Sequence, residues 1–458
     1  MSMSGNLSDG LLYDMLKKLS GAGQYAEIFL ENSNKQAAVY ENNQLDRVEN
    51  STDSGISFRV IEGDKTFFGY TNSFAESNIK NAVSELVNAV KIGEMRDIAL
   101  NDKKSVKYFT TPADTDIQDK IKLVTSMDKA GRIDKKIIQF TSMYAESVRE
   151  TRILNTEGCD ISQSLCYVTG YAAAVASSGK EIQQAYIPLG GTFGAEEAAG
   201  LDFIKVSKDA AELAMKNLSA KYAPSGVMTV VIASSAGGTM VHEAVGHGLE
   251  ADLACNGMSV YAGQIGKKVA AGIVSVADNG TLSGKRGSFL YDDEGVQASS
   301  NMLIENGILK KYMSDRLYGL KEGTELTGNG RRQSYRFRPI VRMTNTIIMP
   351  GSDSPDGIIK SVQKGLYVTR MGGGQVNTVT GDFVFEVTEG FLIENGKLGE
   401  PVKNATLIGN GPKVMREIDM IGDDLGFGIG TCGKEGQGVP VSDAQPTLRI
   451  PEITVGGR

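Results

Sequence analysis

The stretch Val227-Met-Thr-Val-Val-Ile-Ala-Ser-Ser-Ala-Gly-Gly-Thr-Met-Val-His-Glu-Ala-Val-Gly-His-Gly-Leu-Glu-Ala-Asp252 decides how this chain is organised. Val227 to Ile232 is an apolar, β-branched run that reads as a buried strand. Ser234 and Ser235 offer polar caps for a helix beginning near residue 236, so a strand hands the chain directly to a helix. That helix carries His242 and His247, the only two histidines in 458 residues, and Glu243 follows the first of them.

The chain differs on the two sides of this stretch. Upstream, Ile79, Val83, Leu86 and Val90 recur at helical spacing before Gly93, and Phe203, Val206, Ala210 and Leu213 do so before Pro224. Between them Ile56-Ser-Phe-Arg-Val60 alternates as a strand with one buried face and turns at Glu62-Gly63-Asp64. Downstream the glycines multiply: 16 of the 55 precede residue 225 and 39 follow it. Leu303-Ile-Glu-Asn-Gly307 and Leu392-Ile-Glu-Asn-Gly396 each place Asn-Gly after an apolar run, the strongest short-range hairpin signal. The expected fold is α+β: a sheet-and-helix domain over residues 1–225, then a mostly antiparallel β domain over 226–458 that carries the motif helix.

Composition narrows the function. Lys and Arg number 48 against 55 Asp and Glu, a net charge of −7, which lacks the basic footprint of a nucleic-acid binder. No uninterrupted apolar run approaches the roughly 18–20 residues of a membrane span. The first residues have neither a basic nor an apolar leader segment, so a cytoplasmic location is expected. Cys159, Cys166, Cys255 and Cys432 are too few and scattered for a disulfide framework.

The histidine spacing is i, i+5. On a regular α-helix that turns two imidazoles about 140° apart, too far to share an ion. A π-turn of about 4.4 residues restores a common face, and Gly246 and Gly248 make such a distortion cheap. A catalytic zinc takes three protein ligands and keeps one position open. With no third histidine, the remaining candidates are a nearby carboxylate, Glu250 or Asp252, or a thiolate, of which Cys432 is slightly favoured. Cys432 lies in the polar stretch Gly430-Thr-Cys-Gly-Lys-Glu-Gly-Gln-Gly438, where Lys434 is placed to keep it ionised. Cys159 and Cys166 sit in strand-like segments and read as small buried hydrophobes; Cys255 reads either way.

His242-Glu-Ala-Val-Gly-His-Gly-Leu-Glu-Ala-Asp252, Thr327-Gly-Asn-Gly-Arg-Arg332, Arg342-Met-Thr-Asn-Thr346, Gly372-Gly-Gly-Gln375 and Cys432-Gly-Lys-Glu-Gly-Gln-Gly-Val-Pro-Val441 together resemble the TldD branch of the TldD/PmbA family. The resemblance runs from about Pro224 to the terminal Thr454-Val-Gly-Gly457 and is loose before it. It implies a soluble zinc-dependent metallopeptidase acting on short or unfolded peptides, of the kind long labelled modulators of DNA gyrase. It also implies one zinc per chain, held by His242, His247 and Cys432 of a His-Glu-x-x-x-His plus Cys set. As partners it implies a second copy, in a homodimer, or a metal-less sister subunit, in a heterodimer.

Given that ligand set, Glu243 is the expected general base. Arg331, Arg332 and Tyr335 are candidates for stabilising the oxyanion or gripping substrate, and Asp252 and Asp292 for orienting the imidazoles. Gly372-Gly-Gly374 and Gly328-Asn-Gly330 match no nucleotide-binding loop, and exposed backbone there suits an extended peptide added as a strand. The competing reading is a non-catalytic interaction protein with a vestigial metal site.

Overall fold

The computed structural model describes residues 7–90, 104–108, 116–194 and 198–457. In the first half the strands Lys65–Thr71, Gln44–Glu62, Tyr25–Glu41, Ile137–Asn155 and Asp160–Ser177 lie side by side in that order, all antiparallel. Asp160–Ser177 also pairs with Ile182–Thr192 and, in parallel, with Lys104–Tyr108, completing a seven-stranded sheet. The expected strand around Ile56 is the interior of Gln44–Glu62, and its turn uses Gly63 at φ 60°.

Four helices, Asp9–Ser20, Glu76–Ala89, Ile117–Gly131 and Phe203–Ser219, cover one face of this sheet. Side chains alternate between faces of a strand. Even-numbered Ala26, Ile28 and Leu30 accordingly pack with Leu12, Leu16, Ile79 and Val83, while Ala38 packs with Val124, Met127 and Phe203. Glu27, Phe29 and Glu31 point the other way and are equally buried, because the second half of the chain covers that face. Phe29 packs on Tyr335, and Glu27 pairs with Arg332. The stop at Gly93 lies outside the described residues.

The second half holds two larger sheets. One runs Ile308–Leu309, Ser300–Glu305, Val276–Asn279, Asn345–Ile348, Gln437–Gln445, Gly426–Lys434. In the other, Lys364–Val376, Gly226–Ile232, Leu448–Gly456, Ala405–Asn410 and Asp382–Glu394 follow one another, and the last pairs back with the first, closing a ring of pairings. Pairing is mostly antiparallel. The parallel exceptions are Gly226–Ile232 with Lys364–Val376, Asn345–Ile348 with Gln437–Gln445, and Lys397–Lys403 with Lys221–Tyr222. Lys221–Tyr222 thus enters the second half's sheet before residue 226. Both Asn-Gly pairs close hairpins with left-handed backbone, Asn306 and Gly307 at φ 49° and 80°, Asn395 and Gly396 at 51° and 73°.

The motif helix packs against the ring. Met240, Val241, Ala244 and Val245 share a core with Val230, Ile232, Leu366, Val368, Phe385 and Ile450. Burying these apolar side chains anchors the helix at about 1.5–3 kcal/mol for each large one. The strand before it is buried only in its second half: Val230, Val231 and Ile232 are inaccessible, whereas Val227 is 65% exposed.

Candidate metal centre

Gly226–Ile232 leads into a short 3-10 turn, Ser234–Ala236, and the helix proper starts at Thr239 behind Gly238. The two serines do not cap it. Ser235 Oγ donates to Thr369 O at 3.0 Å, and no side chain caps Thr239. Instead Gly238 N donates to Asp443 O at 3.2 Å, which pins the helix start to the strand Gln437–Gln445.

From His242 to Gly246 the helix makes a π-turn, closed by a bond from His247 N to His242 O. This is the turn that the i, i+5 spacing requires. Gly246 has an ordinary right-handed backbone, φ −54° and ψ −58°, so its missing side chain serves packing rather than the distortion. A Cβ there would sit 2.0 Å from Met343 Sδ. At Gly248 the obstacle is the Tyr261 ring.

The imidazoles stand edge to face, 5.0 Å between centroids at 89°. Cys432 reaches them from Gly426–Lys434, an antiparallel partner of Gln437–Gln445. The polar stretch around it is a strand rather than a flexible loop, and Cys432 is only 4% exposed. Its Sγ lies 3.5 Å from His247 Nε2, and one ligand atom from each of His242, His247 and Cys432 falls within 4.8 Å of the others. Both Nδ1 atoms are engaged, His242 with Asp443 Oδ1 at 2.7 Å and His247 with Glu250 Oε2 at 3.0 Å. Such contacts fix ring orientation and leave Nε2 for a metal.

Charge in the cluster is strongly coupled. Burial alone would push the Cys432 thiol up, but the two imidazoles bring it down to about 5. Burial opposes charge on His247 as well, yet Glu250 and Cys432 raise it to about 10. His242 is raised in the same way by Asp443 and Cys432. Glu243, on the same helix, is half-buried and makes no hydrogen bond to another described residue. Burial holds its carboxyl above the usual range, against the pull of both imidazoles.

The remaining sequence candidates are placed elsewhere. Lys434 does not contact the thiol: its Nζ lies 2.9 Å from Glu250 Oε2, 2.7 Å from Asp252 Oδ1 and 3.1 Å from Val341 O. Asp252 is therefore an ion-pair partner of Lys434 and orients no imidazole. Asp292 accepts from the backbone of Glu294, Val296 and Gly330, bracing its own loop. Arg331 donates to the carbonyls of Met343 and Pro440. Arg332 bridges the halves of the chain through Glu27, Ser57 and Asp293 O. The Tyr335 hydroxyl donates to Asp53 at 3.1 Å while its ring lies over Gly55. Burial demanded partners for these polar groups, and the fold supplies them internally, so none is free to orient an imidazole or stabilise an oxyanion. Glu250, weighed above as a ligand, sits behind His247 instead. Asp443 was missed, although it carries a signal: Val439, Val441 and Asp443 share one strand face, and a carboxylate stands where the alternation calls for an apolar side chain.

Comparison with known proteins agrees along the chain. Residues 26–90, 110–218 and 225–457 match the first, central and C-terminal domain models of the PmbA/TldA metallopeptidases. The metalloprotease TldD homolog of Haemophilus influenzae is 35% identical over 99% of this chain and 97% of its own. A metalloprotease of Methanothermobacter thermautotrophicus is 34% identical over 97% and 98%, and the zinc metalloprotease TldD homolog of Saccharolobus solfataricus is 29% identical over 90% and 91%. The fold matches a Thermotoga maritima structure described as a candidate modulator of DNA gyrase, with TM-score 0.81 and 21% identity over 98% of this chain and all of that one. It also matches TldE from Thermococcus kodakarensis, with TM-score 0.75 and 18% identity over the same shares. With a relative this similar over nearly its full length and a domain model matched across its second half, the chain belongs to the PmbA/TldA metallopeptidase family.

Proposed function

We propose that the chain is a zinc-dependent peptidase that hydrolyses short or unfolded peptides, with one zinc per chain at His242, His247 and Cys432. The observation that carries this is the convergence of two imidazoles and a thiolate-favouring cysteine on one point. Two nitrogens and a sulfur are donors zinc takes readily, and three protein ligands leave a coordination position open, whereas a closed structural site needs four. When bound, zinc supplies Lewis acidity to a water and to the scissile carbonyl.

The protein's own groups do the rest. Asp443 and Glu250 hold the imidazoles so that Nε2 points at the shared site. Glu243 takes the proton of the attacking water and passes it to the leaving amine; its raised carboxyl is better matched to that task near neutral pH. An extended peptide can be held by its main chain, as an added strand. Recognition through main chain favours substrates that are unfolded. The metalloprotease names of the relatives support the same reading.

Glu243→Gln keeps all three ligands and the shape of the base. It should retain about one zinc per chain and lose about 10²–10⁴-fold in hydrolysis of an unstructured peptide. Cys432→Ser should weaken zinc itself. Unchanged cleavage by the Gln variant would overturn the mechanism and favour a protein that only binds.

A further inference from the structure

Residues 327–332 and 342–346 lie far from His242 in sequence, yet both reach the hairpin that carries Cys432. Each supplies a buried arginine, Arg331 and Arg342, that pairs with no carboxylate among the described residues. Both give their guanidinium to main-chain carbonyls instead. Arg331 donates to Met343 O at 2.5 Å and to Pro440 O at 2.8 Å. Arg342 donates to Gln437 O at 3.2 Å and to Cys432 O, and its Nε is buried with no partner.

Desolvating a cation is costly unless strong hydrogen bonds offset it. The place of these bonds shows what they hold. Lys434 pairs with Gln437 across the two-residue turn Glu435-Gly436, whose residues are both left-handed at φ 49° and 72°. Among the described residues Gly426–Lys434 has one partner strand, and the end of a two-stranded hairpin is marginal by itself. The Arg342 fork takes one carbonyl from each strand of that end, and one of the two belongs to the ligand Cys432 itself.

The main chain of Arg342 is fixed in turn. Its N donates to Asn329 O at 2.9 Å, and Asn329 Nδ2 donates to Arg342 O at 2.9 Å and to Asp278 Oδ2 at 2.8 Å. Thr344 N donates to Asp278 Oδ1 at 2.9 Å. Asp278 and Asn329 are inaccessible to solvent. From the same segment Met343 Sδ fills the space that a Cβ on Gly246 would take, and Val341 O accepts from Lys434 Nζ. Residues 341–343 therefore touch the π-turn and the thiolate strand at once.

We propose that Arg342 is a positioning residue for the metal centre: its guanidinium holds Cys432 in register with the two imidazoles before any metal binds. A planar fork bridges two carbonyls in a fixed geometry, which an ammonium on a flexible stem does not. This rests on the metal-site reading above, and the test separates the two.

The full chain, Arg342→Gln and Arg342→Lys are stripped of metal and titrated with zinc, against a chromogenic chelator, and with cobalt(II), whose charge-transfer absorption reports a bound thiolate. Arg342→Gln should bind zinc about 10–100-fold more weakly and show less thiolate absorption per bound cobalt, with Arg342→Lys between it and the parent. An arginine that served stability alone would lower the urea midpoint and leave the cobalt spectrum of the folded protein as it is. Equal affinity and equal spectra in a folded Arg342→Gln would therefore overturn the proposal. Hydrogen exchange on the metal-free parent keeps the test decisive if the variants fold poorly: residues 430–438 should exchange as slowly as residues 439–445, within about tenfold. Exchange there at the rate of open chain would overturn it too. If the parent takes up neither ion, yet Arg342→Gln loosens this hairpin in the same exchange experiment, the hold on Cys432 stands and the metal reading fails.

Discussion

The cluster is assembled from two arms of opposite character. The helix arm places His242, Glu243 and His247 within six consecutive residues, and their geometry follows from one local π-turn. The strand arm brings Cys432, Lys434 and Asp443 from nearly 200 residues further along, through the pairing of Gly426–Lys434 with Gln437–Gln445. Each imidazole is held by a carboxylate, but His247 by one three residues away and His242 by one 201 residues away. Local geometry can be read from spacing. Long-range geometry is decided by which strands pair.

If the strand arm holds the helix arm in place, its side chains should matter as much as the ligands' own helix. The largest effect is expected at Lys434. Its ammonium, together with the His247 imidazole, faces the fully buried Glu250. Lys434→Met leaves that carboxylate without it, which should cost about 3–5 kcal/mol of stability by urea denaturation. A loss under about 1 kcal/mol would show that the arms are held together by packing alone.

Asp443→Asn comes next. It removes the anionic acceptor behind His242 Nδ1 and leaves the helix arm intact, so zinc affinity should fall about 10–100-fold while the fold persists, as seen by competition with a chromogenic chelator. Affinity within about twofold of the parent would mean that the local arm alone sets ring orientation.

The same contrast explains what the sequence revealed. The fold class was legible because strand alternation, the Asn-Gly hairpins and the amphipathic helices are all local patterns, and the π-turn was legible because two histidines at i, i+5 admit few alternatives. Local chemistry favoured Cys432 over Glu250 or Asp252 only slightly, and family resemblance decided the choice, since spacing says nothing across 185 residues. Arg331, Arg332 and Tyr335 misled for a related reason. A charged loop between glycines looks solvated or substrate-facing, yet it is the seam where Arg332 meets Glu27 and Tyr335 meets Phe29 across more than 275 residues. Outside a regular strand alternation of the kind that flags Asp443, nothing in a linear pattern marks a polar side chain that will be buried against another part of the chain.

Zinc K-edge X-ray absorption of the purified, zinc-loaded protein tests the central claim most directly. It should show one sulfur scatterer at about 2.3 Å, two imidazole nitrogens at about 2.0–2.1 Å and one further light oxygen position, with the sulfur lost in Cys432→Ser. A site without sulfur, or one closed by four protein ligands, would contradict the account.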